Sequence, residues 1–152
     1  MRLSLHTDYA FRTLMYLAVN DKHLSTIDEI AKTYNISRNH LVKVVNTLVK
    51  AGFIDTVRGK GGGLKLAHHP NQINVGAVVR ITEPDFAIVE CFLSQKNSCI
   101  ITPICELKHI FKKAVNNFLA ELDCYNLNDL IKNKKKTLSS FRSFHNAINL
   151  QS

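Results

Sequence analysis

The sequence of 152 residues contains no long apolar run. A helix that crosses a bilayer needs about 20 consecutive apolar residues, whereas every apolar stretch here is interrupted within a few residues by charge or by asparagine. The first eight residues, which include Arg2, His6 and Asp8, also lack the apolar core of a secretory signal peptide. We therefore expect a soluble, cytoplasmic protein with no membrane partner.

Acidic residues are scarce in the first half of the chain and absent from its tail. Residues 1–80 carry eleven Lys and Arg against five Asp and Glu, and residues 132–152 carry five basic residues and no acidic ones. Residues 81–131 have a net charge of −3, although the whole chain has a formal net charge of +8. This distribution indicates a polyanion as the partner of one part of the protein. Charge alone leaves open a soluble protein that is simply basic.

Two patterns of chemistry are also missing. The four cysteines form none of the paired C-x2-C motifs of structural zinc sites, and a disulfide framework is not expected in the cytosol. No acid–base pair accompanies the cysteines, since His68 and His69 lie at the end of a predicted hairpin. We therefore do not expect an enzyme, and an enzyme with a cysteine nucleophile is the weakest alternative.

The front of the chain shows helical periodicity. Residues 7–19 predict a first helix, which Thr7 can cap and in which Asp8 complements the helix dipole. Thr26, followed three residues later by Glu29, is a capping box, and the apolar residues after it recur at the spacing of a one-sided helix. Two amphipathic helices are therefore expected here.

A third helix and a hairpin follow. Ser37 is a suitable N-cap for this helix, and Gly52 is a suitable end. Its apolar face is formed by Leu41, Val44, Val45 and Leu48. Residues 53–58 and 64–67 read as two strands around the glycine-rich turn at 59–63. Two helices joined by a tight turn and followed by a hairpin predict a mainly α fold built on a winged helix-turn-helix.

The polar face of the third helix carries groups suited to DNA. Arg38 and Asn39 lie at the N-terminal end, where base edges are usually contacted, and they suit guanine and adenine. Lys43 and Lys50 suit phosphate contacts, and basic residues of the hairpin flank glycines that let the backbone approach DNA. The predicted DNA-binding residues are Arg38, Asn39, His40, Lys43, Lys50, Arg58, Lys60, Gly61 and Gly62. For any single lysine, the alternative is a solvated surface charge.

The second half is expected to add a loop and a helix for dimerisation. A short helix is predicted at 75–81, and the residues after it have no clean period. A long helix from Ile104 has a wide apolar face, which we interpret as a dimer contact rather than a core contact because little chain remains to cover it. Four parts are therefore expected: a DNA-binding domain at 1–82, a ligand loop at 83–103, a dimerisation region at 104–131 and a basic, flexible tail at 132–152.

Three cysteines, Cys91, Cys99 and Cys105, fall within fifteen residues. Thiolates are soft donors that favour zinc, copper(I) or iron–sulfur clusters, and three unliganded cysteines are the alternative. Cys124 lies nineteen residues further on, about five helical turns away, and is interpreted as a small core or surface residue. Spacing does not choose among the other candidates for a fourth ligand, which are His6, Asp8 and His109.

Four stretches carry a family resemblance: Thr-Asp-Tyr-Ala at 7–10, Ser-Arg-Asn-His-Leu-Val-Lys at 37–43, the segment 51–63 with its glycine run, and Ile-Thr-Pro-Ile-Cys-Glu-Leu-Lys at 101–108. Together, over roughly residues 1–130, they resemble the IscR/NsrR family of winged-helix iron–sulfur transcription regulators. The nitric-oxide-sensitive NsrR branch looks closer. The IscR type is expected to carry a histidine where this chain has Lys108, and His109 is one residue late.

The resemblance implies a dimeric repressor of nitrosative-stress genes that binds palindromic double-stranded DNA and senses nitric oxide. It implies an iron–sulfur cluster, 4Fe–4S in preference to 2Fe–2S, held by Cys91, Cys99 and Cys105, with Asp8 of the partner subunit as the fourth ligand. The seven residues between Cys91 and Cys99 are a longer gap than the family pattern. An IscR-like regulator of cluster status and a zinc- or redox-responsive winged-helix regulator remain alternatives.

Overall fold

The computed structural model describes residues 2–93 and 97–149. Its first helix, α1 (Leu5–Val19), is capped by the side chain of Ser4, which accepts a hydrogen bond from the backbone N–H of Thr7. The prediction of Thr7 as the cap is therefore wrong. Thr7 lies within the first turn, is fully buried, and uses its hydroxyl for contacts with a distant part of the chain. Asp8 occupies the first turn as predicted.

The helix-turn-helix follows the predicted pattern. In α2 (Ile27–Tyr34), both bonds of the capping box between Thr26 and Glu29 are present. Asn35 ends α2 in the left-handed conformation, with φ of 51°, and this allows the short turn to α3 (Arg38–Lys50). Tertiary packing then fixes the pair, because α3 contacts both α1 and α2.

The predicted hairpin is also present. Strand β1 (Ile54–Val57) pairs antiparallel with β2 (Gly63–Leu66). Two backbone hydrogen bonds between Ser25 and Leu64, of 3.1 and 2.7 Å, join this hairpin to the connection between α1 and α2. The winged helix-turn-helix predicted from the sequence is therefore confirmed.

One apolar core lies between these elements and α4 (Val75–Thr82). The helices α1 to α4 and the two strands are called the headpiece below. Every one of these elements contributes side chains to the core, including Leu14, Ile30, Leu41, Leu48, Ile54, Leu64 and Val78. The polar face of α3 is left outside this core. Within residues 2–93 and 97–149, no helix has both the length and the apolar character of a bilayer-spanning segment.

The long helix, α5 (Glu106–Asp123), is fixed to the headpiece at its C-terminal end. The guanidinium of Arg80 donates two hydrogen bonds, of 2.5 and 2.7 Å, to the carboxylate of Asp123. The N–H of Val75 donates to the carbonyl of Tyr125 at 3.0 Å. The short helix α6 (Leu127–Leu130) follows directly. The end of α5 next to Cys105 is thus the end furthest from this anchor.

The apolar face of α5 is largely uncovered by its own chain. Val115 is its one buried apolar side chain among the described residues. Leu107 is 54% exposed and Ile110 is 61% exposed. The helix begins at Glu106 rather than Ile104, which lies in a 3-10 turn.

Residues 134–149, which fall within the predicted basic tail, form α7 (Lys134–Asn149). Phe141 packs with its ring centroid 5.5 Å from that of Tyr16 and 5.4 Å from that of Tyr34. Leu138 packs against the same core. The composition of the tail is polar and basic, but two apolar side chains one helical turn apart suffice to dock it on α1 and α2.

We expect the substitution Phe141→Ala to lower the free energy of unfolding by about 2 kcal/mol, because a half-buried ring and its two aromatic contacts are removed. Urea denaturation measures this. Lys135→Ala is the matched control, since Lys135 is exposed on the same helix. Equal stability of the two variants would contradict the docking of α7.

Candidate functional site

The recognition face of α3 is formed by side chains that the core does not use. Leu41, Val44, Val45 and Leu48 are buried as predicted. All five predicted DNA contacts of this segment are exposed: Arg38, Asn39, His40, Lys43 and Lys50. The helix therefore separates an anchored face from a cationic face, as insertion into a major groove requires.

Arg38 does not lie free on this face. Its Nε donates to Oδ1 of Asp28 at 2.7 Å, which joins the start of α3 to the first turn of α2. The side chains are 60% and 70% exposed, so water screens the ion pair and DNA can displace it. Asp28 was not predicted as part of this site. Its contact with Arg38 depends on the geometry of the turn between α2 and α3, which the residue pattern alone does not define.

The tip of the wing is shaped by glycines. Gly59 and Gly61 have φ of 97° and 80°, a region that favours glycine. Gly62 donates its N–H to the carbonyl of Gly59 at 2.9 Å, and a side chain there would collide with the carbonyl of Val57. Of the wing residues predicted to contact DNA, Arg58, Lys60 and Gly61 are exposed and Gly62 is partly exposed.

The three clustered cysteines lie on the segment between α4 and α5, which is called the cysteine loop below. Cys91 lies in the 3-10 turn Glu90–Phe92, and Cys105 directly precedes α5. Cys99 is held by local hydrogen bonds: its N–H donates to the side chain of Asn97 at 3.1 Å, and its carbonyl accepts from the hydroxyl of Thr102 at 2.8 Å. Residues on both sides of the Cys99 backbone therefore keep it in place.

The donor chemistry of this loop suits a soft metal centre. Cys91, Cys99 and Cys105 are half-buried, and all are free thiols. In the described residues of the single chain, however, no three His, Cys, Asp or Glu side chains form a group that could hold a metal. The thiols are chemically suited to an iron–sulfur cluster, but in the described part of the single chain they do not lie together in one site.

The other ligand candidates lie in different surroundings. Asp8 forms an ion pair with Arg12 at 2.8 Å and is 43% exposed. Nε2 of His6 lies 3.1 Å from the hydroxyl of Thr47 on α3, and His109 is exposed on α5. Cys124 is exposed and lies at the far end of α5 from the loop.

Arg12 in turn lies over an aromatic ring. Its guanidinium carbon is 5.7 Å from the ring centroid of Tyr34, the residue on which Phe141 packs. Burial raises the pKa of Tyr34 well above its ordinary value, so its hydroxyl stays neutral. Arg12 therefore pairs with the Asp8 carboxylate and also lies against the aromatic side chains that join α1, α2 and α7.

Glu83 connects the cysteine loop to the start of α1, and sequence analysis missed it. Its carboxylate accepts hydrogen bonds from the N–H and hydroxyl of Ser4, at 2.8 and 3.0 Å, and from the hydroxyl of Thr7. The Thr82 hydroxyl lies 2.9 Å from that of Thr7, and both threonines are buried. No local pattern could have revealed a contact between residues 79 positions apart.

Comparison with protein families gives one match over most of the chain. The model of the Rrf2 family, described as an iron-dependent transcriptional regulator, matches residues 3–133. The HTH-type transcriptional regulator NsrR of Bacillus subtilis is 51% identical over 136 residues, which cover 89% of this chain and 93% of that protein. The regulator of the same name from Bacillus licheniformis is 48% identical over 135 residues, covering 88% and 94%.

Solved structures show the same fold. T. potens IscR superposes with a TM-score of 0.71 at 23% identity, over 90% of each chain. CymR, the global cysteine regulator of B. subtilis, superposes with a TM-score of 0.65 at 27% identity, over 87% of this chain and 97% of that one. These likenesses extend from the headpiece into the second half of the chain.

We expect Glu83→Ala to lower the free energy of unfolding by about 2 kcal/mol, because several hydrogen bonds to a charged acceptor are lost beside buried hydroxyls. Amide hydrogen exchange should accelerate at Ser4 and Thr7. Glu90→Ala is the control, since Glu90 is exposed and accepts one bond, from Ser98 at 3.2 Å. Unchanged exchange at the start of α1 would show that Glu83 does not hold it.

Proposed function

Because the chain belongs to the Rrf2 family of transcription regulators, we propose that it is a dimeric repressor of nitrosative-stress genes that responds to nitric oxide through an iron–sulfur cluster. It is a transcription regulator and not an enzyme, as the relatives show. The observation that carries the proposal is the set of three free, half-buried thiols on a loop that Glu83 joins to α1. Similarity to NsrR proteins supports the choice of signal.

The DNA interface in this proposal consists of α3 and the wing. Arg38 and Asn39 read base edges, and Lys43 and Lys50 bind phosphates. Arg58, Lys60 and the glycine backbone enter the adjacent groove or contact its phosphates. A dimer presents two such units, so a palindromic operator with fixed spacing of its half-sites is the matching DNA.

The uncovered apolar face of α5 supports dimerisation through this helix. Leu107 and Ile110 are more than half exposed, and Val115 alone among its apolar residues is buried. A contiguous apolar face of this kind is stabilised when it is removed from water. A second copy of the chain offers the same face, which suits the two-fold symmetry of most homodimers.

Cys91, Cys99 and Cys105 would hold the cluster, with Asp8 of the partner subunit as its fourth ligand. A carboxylate is a hard donor among soft ones, which leaves one iron comparatively exchangeable. When bound, the cluster supplies iron with which nitric oxide reacts. Asp8 suits this role because it is partly exposed and its present partner, Arg12, is a surface ion pair that can be exchanged.

A path of direct contacts leads from the loop to the recognition helix. Glu83, the first residue of the loop, holds the start of α1 through its hydrogen bonds with Ser4. One turn of α1 carries both Asp8 and His6, and His6 is bonded to Thr47 on α3. Order in the loop would therefore set the position of α3, and its loss would change the spacing of the two recognition helices.

For the DNA interface, we expect Arg38→Ala to weaken binding to a specific duplex by about 1–3 kcal/mol and to relax base choice at one position. Lys43→Ala should weaken binding to all sequences alike and reduce the salt dependence. Fluorescence anisotropy at several salt concentrations separates the two effects. Lys135→Ala is the control, because Lys135 lies on α7 outside the interface.

For the cluster, we expect the protein purified without oxygen to be brown and to contain iron and sulfide. Cys99→Ser should lose both, whereas Cys124→Ser should keep both, because Cys124 lies outside the loop. Asp8→Ala should alter cluster assembly or the release of DNA by nitric oxide. A colourless wild-type protein, or one that holds zinc, would contradict the proposed cluster and favour a zinc- or redox-responsive regulator.

A further inference from the structure

One cleft shares no lining residue with the cysteine loop or with α3 and is not used by the proposed function. It has a volume of about 850 Å³ and lies between the end of α1, strand β2 and the start of α7. Its floor is apolar and buried, formed by Leu17, Leu64 and Ile131. This volume lies within the range of about 300–1,000 Å³ that is typical of small-molecule sites.

The rim of the cleft is cationic. Lys65, Lys132 and Lys134 line it together with three histidines, and Asp21 is the one carboxylate among the lining residues. Asp21 is already bonded to Lys134 at 2.8 Å. Lys65 has no carboxylate within salt-bridge distance in the part of the chain that the structure describes. Lys132 pairs with Asp129 at 3.3 Å, and Asp55 is the residue opposite Lys65 in the hairpin. Among the described residues, Lys65 is therefore the lysine of the rim that has no ion-pair partner, and an anion entering the cleft meets it together with the histidine side chains.

We propose that this cleft binds a small organic anion with an apolar body, such as an aromatic carboxylate or sulfonate. The anionic group would lie against Lys65 and His68, and the apolar body would cover Leu66, Ala67 and Pro70, which line the cleft and are partly exposed. Lys134 belongs to α7, beyond the residues matched by the family model. One wall of the site is thus formed by a segment outside the family pattern, while another wall is the wing.

The test uses the full chain and anilinonaphthalene sulfonate as the probe. Its neutral analogue, N-phenyl-1-naphthylamine, has the same rings without the sulfonate. We expect saturable binding of the sulfonate, weaker binding of the neutral compound, and amide shifts in an NMR titration concentrated at residues 64–69 and 131–134. Equal binding of both probes, or shifts confined to the apolar face of α5, would overturn the proposal.

Variants test the charge directly. Lys65→Gln and His68→Gln should each weaken sulfonate binding, Lys65→Gln by about tenfold, which corresponds to the loss of one charge-assisted hydrogen bond. Lys22→Gln is the control, since Lys22 is exposed and does not line the cleft. If Lys65→Gln weakens DNA binding while the wild-type protein binds no sulfonate, the cleft is a contact for the DNA backbone and the proposal is wrong. None of these measurements depends on the cluster.

Discussion

The carboxylate of Glu83 is the point at which α4, the cysteine loop and the start of α1 meet. It accepts hydrogen bonds from the N–H and hydroxyl of Ser4 and from the hydroxyl of Thr7, next to the buried side chain of Thr82. Buried polar groups are costly unless they are paired, so these contacts are made together or lost together. Because α1 supplies Ala10, Leu14 and Leu17 to the core, fixing its first turn also fixes the platform on which α3 rests.

The headpiece is stabilised by aromatic packing on the α2 side of α1. Tyr16, Tyr34 and Phe141 form a cluster that joins α1, α2 and α7, and Arg12 lies over the ring of Tyr34 while it pairs with Asp8. The helix that carries the proposed cluster ligand is therefore restrained along its length. The same helix contacts α3 directly, through His6 and Thr47 among other residues.

Local signals in the sequence were sufficient for the winged helix-turn-helix. The capping box of Thr26 and Glu29, the apolar spacing of α3 and the glycines of the wing each act within a few residues. The features that sequence analysis missed depend on distant partners: Glu83 on Ser4, and Phe141 on Tyr16 and Tyr34. The proposed assembly of Cys91, Cys99 and Cys105 with Asp8 of the partner subunit would belong to this second kind, since it would need both a partner subunit and a bound group. The cysteines themselves could be identified from spacing and resemblance, but not their arrangement.

In the proposed function, the cysteine loop controls the affinity of α3 and the wing for DNA. The most direct measurement is the affinity of the cluster-loaded protein for a palindromic duplex selected from a random pool, determined without oxygen before and after addition of nitric oxide. The account predicts that nitric oxide weakens binding by about tenfold or more, within the range of typical couplings between sites. It also predicts that Cys99→Ser binds equally with and without nitric oxide. Unchanged affinity of the loaded wild-type protein after its cluster has reacted would contradict the account.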